Sequence, residues 1–280
     1  MAKYRYHFLR FPGGKPKAVT LSYDDGMSQD IKLVELMKKY GFKGTFNLNS
    51  GAIPPEGFTP KADKYPPRLH ASVYKKLYTS DVAEVACHGY AHVPLHLVPP
   101  VMISREIIDD RKGLEEIFGG IIRGFAYPCG NYTDEAIEIL KNAGISYART
   151  VHSTERFDIP KDWYRLPATC HHKNPRLMEL AEQFDAPVKR DPRLFYLWGH
   201  SYEFDDDDNW DVIETFFKRL GGKEDIWYAT NIEVYDYVTA FERLEFSADN
   251  MRVYNPSAMD VWIGLNEELI FIPAGKTVNL

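Results

Sequence analysis

Short apolar runs rich in β-forming residues recur along this chain, most of them separated by an amphipathic helical stretch, and few folds accommodate that rhythm. The first unit sets the pattern. KAVTLSY (17–23) reads as a buried strand, Ser28 caps a helix over 29–40, and Gly41 closes it. Further strands are expected at 44–49, 84–88, 123–128, 146–150, 163–169, 194–200 and 226–230. Between them, Ser104 is expected to cap a helix running to 118. Thr133, followed by Asp134 and Glu135, starts another that ends at Gly144, and 210–220 forms a third. Thr230 with Glu233 makes a capping box for a last helix to 244. Seven or eight strands alternating with helices predict an α/β fold with parallel strands, either a barrel or a doubly wound sheet.

From 245 onward the rhythm changes to short strand-like runs with polar turns, too few for an independent domain. The expected division is therefore a main body over 1–244 and a C-terminal β-rich appendage, 245–280, packed on it. The segment 50–69, rich in proline and glycine, is long for a connection and reads as a functional or covering loop.

Charge and composition narrow the function classes. With 34 basic against 40 acidic residues, the net charge of −6 lacks the footprint of a general nucleic-acid binder. No stretch reaches the roughly 18 consecutive apolar residues of a membrane span, and the first residues do not form a signal-peptide core, so a cytoplasmic protein is expected. Three cysteines, Cys87, Cys129 and Cys170, without CxxC spacing suggest neither a disulfide framework nor a cysteine-ligated zinc finger.

In α/β folds ligands bind beyond the carboxyl ends of the parallel strands, and here those ends are reactive. The first gives Asp24-Asp25-Gly26, a later one His88-Gly89-Tyr90-Ala91-His92, the next Pro128-Cys129-Gly130, and a late one Gly199-His200. Adjacent carboxylates at the end of an apolar strand need compensation; one could hold a cation while the other accepts a proton, or both could serve a turn before a helix. His88 and His92 stand at a spacing suited to zinc; each taken singly reads as a structural hydrogen-bonding residue, whereas with Asp25 they could make an open three-ligand set. His200 could protonate a leaving group or cap its strand, and Glu203 is in reach to orient it. The 205–208 run of aspartates reads as a solvated acidic turn, and His171 and His172 as surface or supporting residues.

Four segments resemble, in order, the motifs of the polysaccharide deacetylases of carbohydrate esterase family 4. TLSYDDG (20–26) resembles the first motif, and HGYAH (88–92) the second with Gly89 replacing a hydroxyl residue. FAYPCG (125–130) resembles the third, and FYLWGH (195–200) the fifth. The resemblance implies a distorted (β/α)7-type barrel and hydrolysis of acetyl groups, N-acetyl on amino sugars or O-acetyl esters. It implies Asp24 as general base, His200 as general acid, and Asp25, His88 and His92 as ligands of a divalent metal, zinc ahead of cobalt or nickel. The Tyr127–Cys129 loop is implied to hold the oxyanion through the Cys129 main chain, and Tyr90 and Trp198 are candidate sugar contacts.

Two departures accompany it. The family's third-motif arginine is Ala126 here, leaving Arg123 or Arg149 to reach the base from another direction, and the fourth motif has only a loose echo at 157–163. The implied partner is an acetylated saccharide or small amide. A metal-independent amidohydrolase and an inactive carbohydrate-binding protein on the same scaffold are the alternatives.

Overall fold

The computed structural model describes residues 6–58, 67–266 and 268–280. In chain order the strands are β1 (His7–Arg10), β2 (Lys17–Asp24), β3 (Gly44–Leu48), β4 (Ala83–Cys87), β5 (Gly124–Ala126), β6 (Tyr147–Ser153), β7 (Leu166–Ala168) and β8 (Cys170–His171). They continue with β9 (Arg193–His200), β10 (Ile226–Tyr228), β11 (Glu245–Phe246), β12 (Arg252–Tyr254), β13 (Val261–Leu265), β14 (Glu268–Ile272) and β15 (Thr277–Asn279). The helices are α1 (Asp30–Tyr40), α2 (Ala71–Leu77), α3 (Pro100–Phe118), α4 (Asp134–Asn142), α5 (Leu177–Asp185), α6 (Glu203–Asp206), α7 (Trp210–Leu220) and α8 (Asn231–Glu242).

The central sheet is wholly parallel, in the order β7-β6-β5-β4-β3-β2-β9-β8. β7 pairs with β6 and β8, two residues further along the same run, pairs with β9, so residues 166–171 close the sheet into a distorted barrel. One edge of β2 is divided: Lys17–Val19 pairs with β10, whereas Ser22–Asp24 pairs with β3. This is the expected parallel α/β barrel, and burial explains the strand composition. All eight residues of β2 are buried, as expected of a strand covered on both faces.

Local chemistry moved three boundaries. α3 starts four residues before Ser104 because Pro100 supplies a preformed first turn; Ser104 lies inside the helix and donates its hydroxyl to the Pro100 carbonyl. Residues 163–165 form a 3-10 turn instead of strand, since the Asp162 carboxylate accepts the Tyr164 and Arg165 N–H groups. α1 begins at Asp30, with no side-chain cap from Ser28. The Thr133 cap and the Thr230–Glu233 capping box are present as expected.

Two three-stranded antiparallel sheets follow α8, β11-β12-β15 and β1-β13-β14, so the strand at the start of the described chain completes the second of them. α8 is the shared layer: Val234, Tyr237 and Val238 pack with Leu9 and Phe11, while Ala240 and Leu244 pack with Val253, Val261 and Ile272. Among the described residues no helix is long and apolar enough to cross a membrane.

Candidate active site

The parallel register brings the strand ends named above to one mouth of the barrel. Asp24 is the last residue of β2 and stands level with His200 on β9 and Asn47 on β3. A cavity of about 820 Å³ opens there, lined among others by Asp24, Asp25, His88, His92, Cys129 and His200. Its rim is apolar where the covering loop contributes Ile53, Pro54 and Phe58, and aromatic where Tyr127, Trp198 and Tyr202 stand. Tyr90 is not among the lining residues; its ring packs against Gly51, which is.

Asp24 is 2% exposed. Burial alone would raise its pKa, but the Arg149 guanidinium, with His88 and His200, outweighs that and holds it at about 2. Arg149 Nη2 donates to both carboxylate oxygens, and Asn47 Nδ2 donates to Oδ1 at 2.8 Å. Arg149 is itself fully buried, with its guanidinium 4.6 Å from the Trp198 ring centroid. The arginine comes from β6, where its register partner on β5 is Ala126. Arg123 faces elsewhere and forms a two-point ion pair with Asp236.

Asp25, adjacent in sequence, takes a left-handed conformation with φ 75° and so points away from its neighbour. Its Oδ1 lies 3.9 Å from His88 Nε2 and 3.7 Å from His92 Nε2. His92 also has positive φ, 57°, as does Cys129, 56°. Non-glycine residues are uncommon in this region, and three of them line this one cavity. Arg68 and Tyr74 brace the turn. Arg68 Nε donates to the Asp25 carbonyl at 3.1 Å, and Tyr74 donates its hydroxyl to the Gly26 carbonyl.

Among the described residues, two groups of side chains have ligand atoms close enough for a metal ion: Asp25 with His88 and His92, and His171 with His172 and Glu203. Their tautomers separate them. His88 Nδ1 lies 2.8 Å from the Ala126 carbonyl, so Nδ1 carries the proton and Nε2 presents its lone pair towards Asp25. Burial lowers its pKa and keeps the ring neutral, the state a metal ligand requires. His171 is the reverse. Its Nδ1 accepts the Lys173 main-chain N–H at 3.1 Å, which leaves the proton on Nε2 and suits that atom to donate to Glu203.

Glu203 is therefore a carboxylate held among imidazoles. His200 Nδ1 and His200 N donate to its Oε2, each at 3.1 Å, while His171 and His172 place Nε2 atoms 3.2 Å from the same oxygen. Burial works against ionisation, but these N–H groups hold the Glu203 pKa far below the carboxylate range. His172, 2% exposed, is lowered to about 4 by burial and stays neutral; Gly199 makes room for it, since a Cβ there would meet His172 Nδ1. For His200, burial opposes protonation, yet the Glu203 hydrogen bond and the charges of Asp24 and Asp25 raise its pKa above 6.5. Its Nε2 faces the cavity, 3.9 Å from Asp24 Oδ2.

The polysaccharide deacetylase family model matches residues 6–148, half of the chain, and the chain belongs to that family. Its fold is similar to that of a Mycobacterium smegmatis protein assigned as a polysaccharide deacetylase, at 14% identity and TM-score 0.60, covering 84% of this chain and 94% of that one. A family 4 carbohydrate esterase from Streptomyces lividans, solved with acetate, aligns at 15% identity and TM-score 0.49 over 76% of this chain and 91% of its own. The Streptococcus pyogenes deacetylase PplD, also solved with acetate, aligns at 21% identity and TM-score 0.42 over 47% of this chain and 55% of its own. No curated protein matches.

Proposed function

We propose that this chain is a divalent-metal-dependent hydrolase that removes acetyl groups from an acetylated saccharide, N-acetyl ahead of O-acetyl, with zinc as the favoured ion. One observation carries the reading. Asp25 Oδ1, His88 Nε2 and His92 Nε2 converge as an open donor set beside an ionised Asp24, with His200 on the other side of that carboxylate.

The donor set fits a borderline ion such as zinc: two imidazoles and one carboxylate leave a coordination position for water or substrate. The chemistry such an ion supplies is Lewis acidity towards the acetyl carbonyl and the attacking water. Asp24 accepts the water proton at its carboxylate, held in place by Arg149 and Asn47 so that no reorganisation is needed as attack occurs. The Cys129 main-chain N–H donates to the developing oxyanion. His200, locked by Glu203 with Nδ1 protonated, delivers its Nε2 proton to the departing nitrogen, and Trp198 and Tyr127 face the sugar. Arg149 supplies the charge that the family's third motif places elsewhere, which favours a working enzyme over an inactive binding protein.

The experiment is metal content by elemental analysis of purified protein and of His88→Ala, followed by acetate release from N- and O-acetylated sugars. Near-stoichiometric metal lost in the variant, with acetate released by the wild type, is expected. A wild type that takes up no zinc, cobalt or nickel, or that binds metal but releases no acetate from any such sugar, overturns the reading.

A further inference from the structure

The loop carrying the two candidate metal-binding histidines lacks the hydroxyl residue of the family's second motif. Gly89 stands there with φ 79°, and a Cβ built on it would lie 3.1 Å from Glu106 Oε2 and 3.1 Å from Pro128 Cγ. The space is taken by a carboxylate reaching in from α3. Glu106 Oε2 accepts the Ala91 N–H at 2.9 Å and the Val93 N–H at 3.5 Å, and the Glu106 carbonyl accepts the Tyr90 N–H at 2.9 Å. One helical turn later, Asp110 Oδ2 accepts the His88 N–H at 2.9 Å, shared with the Leu48 carbonyl, and its Oδ1 accepts the Ser50 N–H at 2.6 Å.

These two acids occupy core-facing positions. The buried stripe of α3 is Ile103, Glu106, Ile107, Asp110 and Leu114, and Glu106 and Asp110 are 4% and 0% exposed. Buried carboxylates are costly unless hydrogen-bonded or paired, and the basic residues beside them, Arg111 and Lys112, pair with Glu115 and Glu116 instead. Their compensation comes from main-chain N–H groups of the histidine loop and of the neighbouring β3 exit. A helix is rigid along its length, so acids four residues apart fix the loop at both ends.

We propose that Glu106 and Asp110 are positioning residues for the metal site, holding the main chain of residues 88–93 so that His88 and His92 meet Asp25 in ligating geometry. This rests on the metal reading above. Partners that orient ligands contribute about 10–100-fold to metal affinity.

The test is zinc affinity by competition with a chromophoric chelator, with thermal unfolding of the metal-free proteins alongside. Glu106→Ala and Asp110→Asn should each weaken zinc by about 10–100-fold. Glu106→Gln, whose amide oxygen still accepts from Ala91, should stay close to wild type, and acetate release should return at saturating zinc. Unchanged affinity in folded Glu106→Ala overturns the proposal, as does equal loss in Glu106→Ala and Glu106→Gln. If Asp110→Asn does not fold, the Glu106 pair decides alone. A wild type that binds no zinc fails the metal reading itself, a separate result from tight binding that Glu106 does not influence.

Discussion

Ala126 and Arg149 are register partners on adjacent parallel strands, and the guanidinium that Ala126 cannot supply reaches Asp24 from the neighbouring position. Where the resemblance implies an arginine at 126, this chain presents its guanidinium from the adjacent strand β6. Removing one partner of a buried pair costs about 3–5 kcal/mol. Arg149→Ala should therefore lower stability by that order and cut acetate release by at least tenfold with zinc retained. The double variant Ala126→Arg/Arg149→Ala should recover part of both losses, because the added side chain enters the volume vacated beside it. Denaturant unfolding and acetate release measure the two effects, and a double variant no better than the single one would refute the sideways replacement.

Glu203→Gln removes the charge that keeps His200 protonated. A group whose folded pKa is raised holds its proton below that value and loses it as pH rises through it, so activity should fall on the alkaline side. In the variant that alkaline limb should move to lower pH and kcat should drop, with KM and zinc content little changed. A pH–rate profile superimposable on the wild type would remove Glu203 from the acid's control.

Asp24→Asn should keep zinc and lose hydrolysis by about 10²–10⁴-fold, the usual contribution of a general base. Since Arg149, His88 and His200 hold Asp24 at about 2 against the effect of burial, its own protonation should leave no mark on the profile above pH 4. Metal analysis together with an acetate assay separates loss of the base from loss of the ion.

Cys129→Ser should retain turnover, because the proposed contribution of residue 129 is its main-chain N–H. Thiol chemistry at this exposed residue would instead be revealed by inactivation in the variant.

Asp30 lies beneath the site, fully buried, with its Oδ2 accepting the Tyr78 hydroxyl at 2.5 Å. Burial, against partial relief from Ser201 and Tyr78, raises its pKa to about 7. The folded state thus keeps a proton that the unfolded chain releases near pH 4. Stability relative to Asp30→Asn should fall as pH rises from about 4 to 7 and level off above. Thermal unfolding across that range tests it, and a constant difference between the two proteins would contradict the buried-acid account.

Much of this was legible beforehand because strand ends in a parallel sheet face one way. Once the β-loop-α rhythm was read, Asp24, Asp25, His88, His92 and His200 had to share a rim, and the register places them there. The structural role of Arg149 was less accessible. Linear spacing leaves Arg123 and Arg149 as equal candidates to reach the base, and only the register of β6, which sets Arg149 beside Ala126, separates them. Glu106 and Asp110 do not stand out in the sequence because acids on a helix usually face water; their phase with Ile103, Ile107 and Leu114 is the available signal. The imidazole cluster on Glu203 needed the closure of the barrel by residues 166–171, a long-range event that local pattern does not encode.

The left-handed residues at the rim carry a consequence for transplantation. Asp25, His92 and Cys129 hold their positions through turns that glycine or asparagine would enter readily and β-branched residues would resist. A barrel given these side chains without Gly26, Gly89 and Gly130 alongside them would have the right reagents on the wrong hinges. In this chain the chemistry is inherited as three bends of the main chain, and the functional groups follow from them.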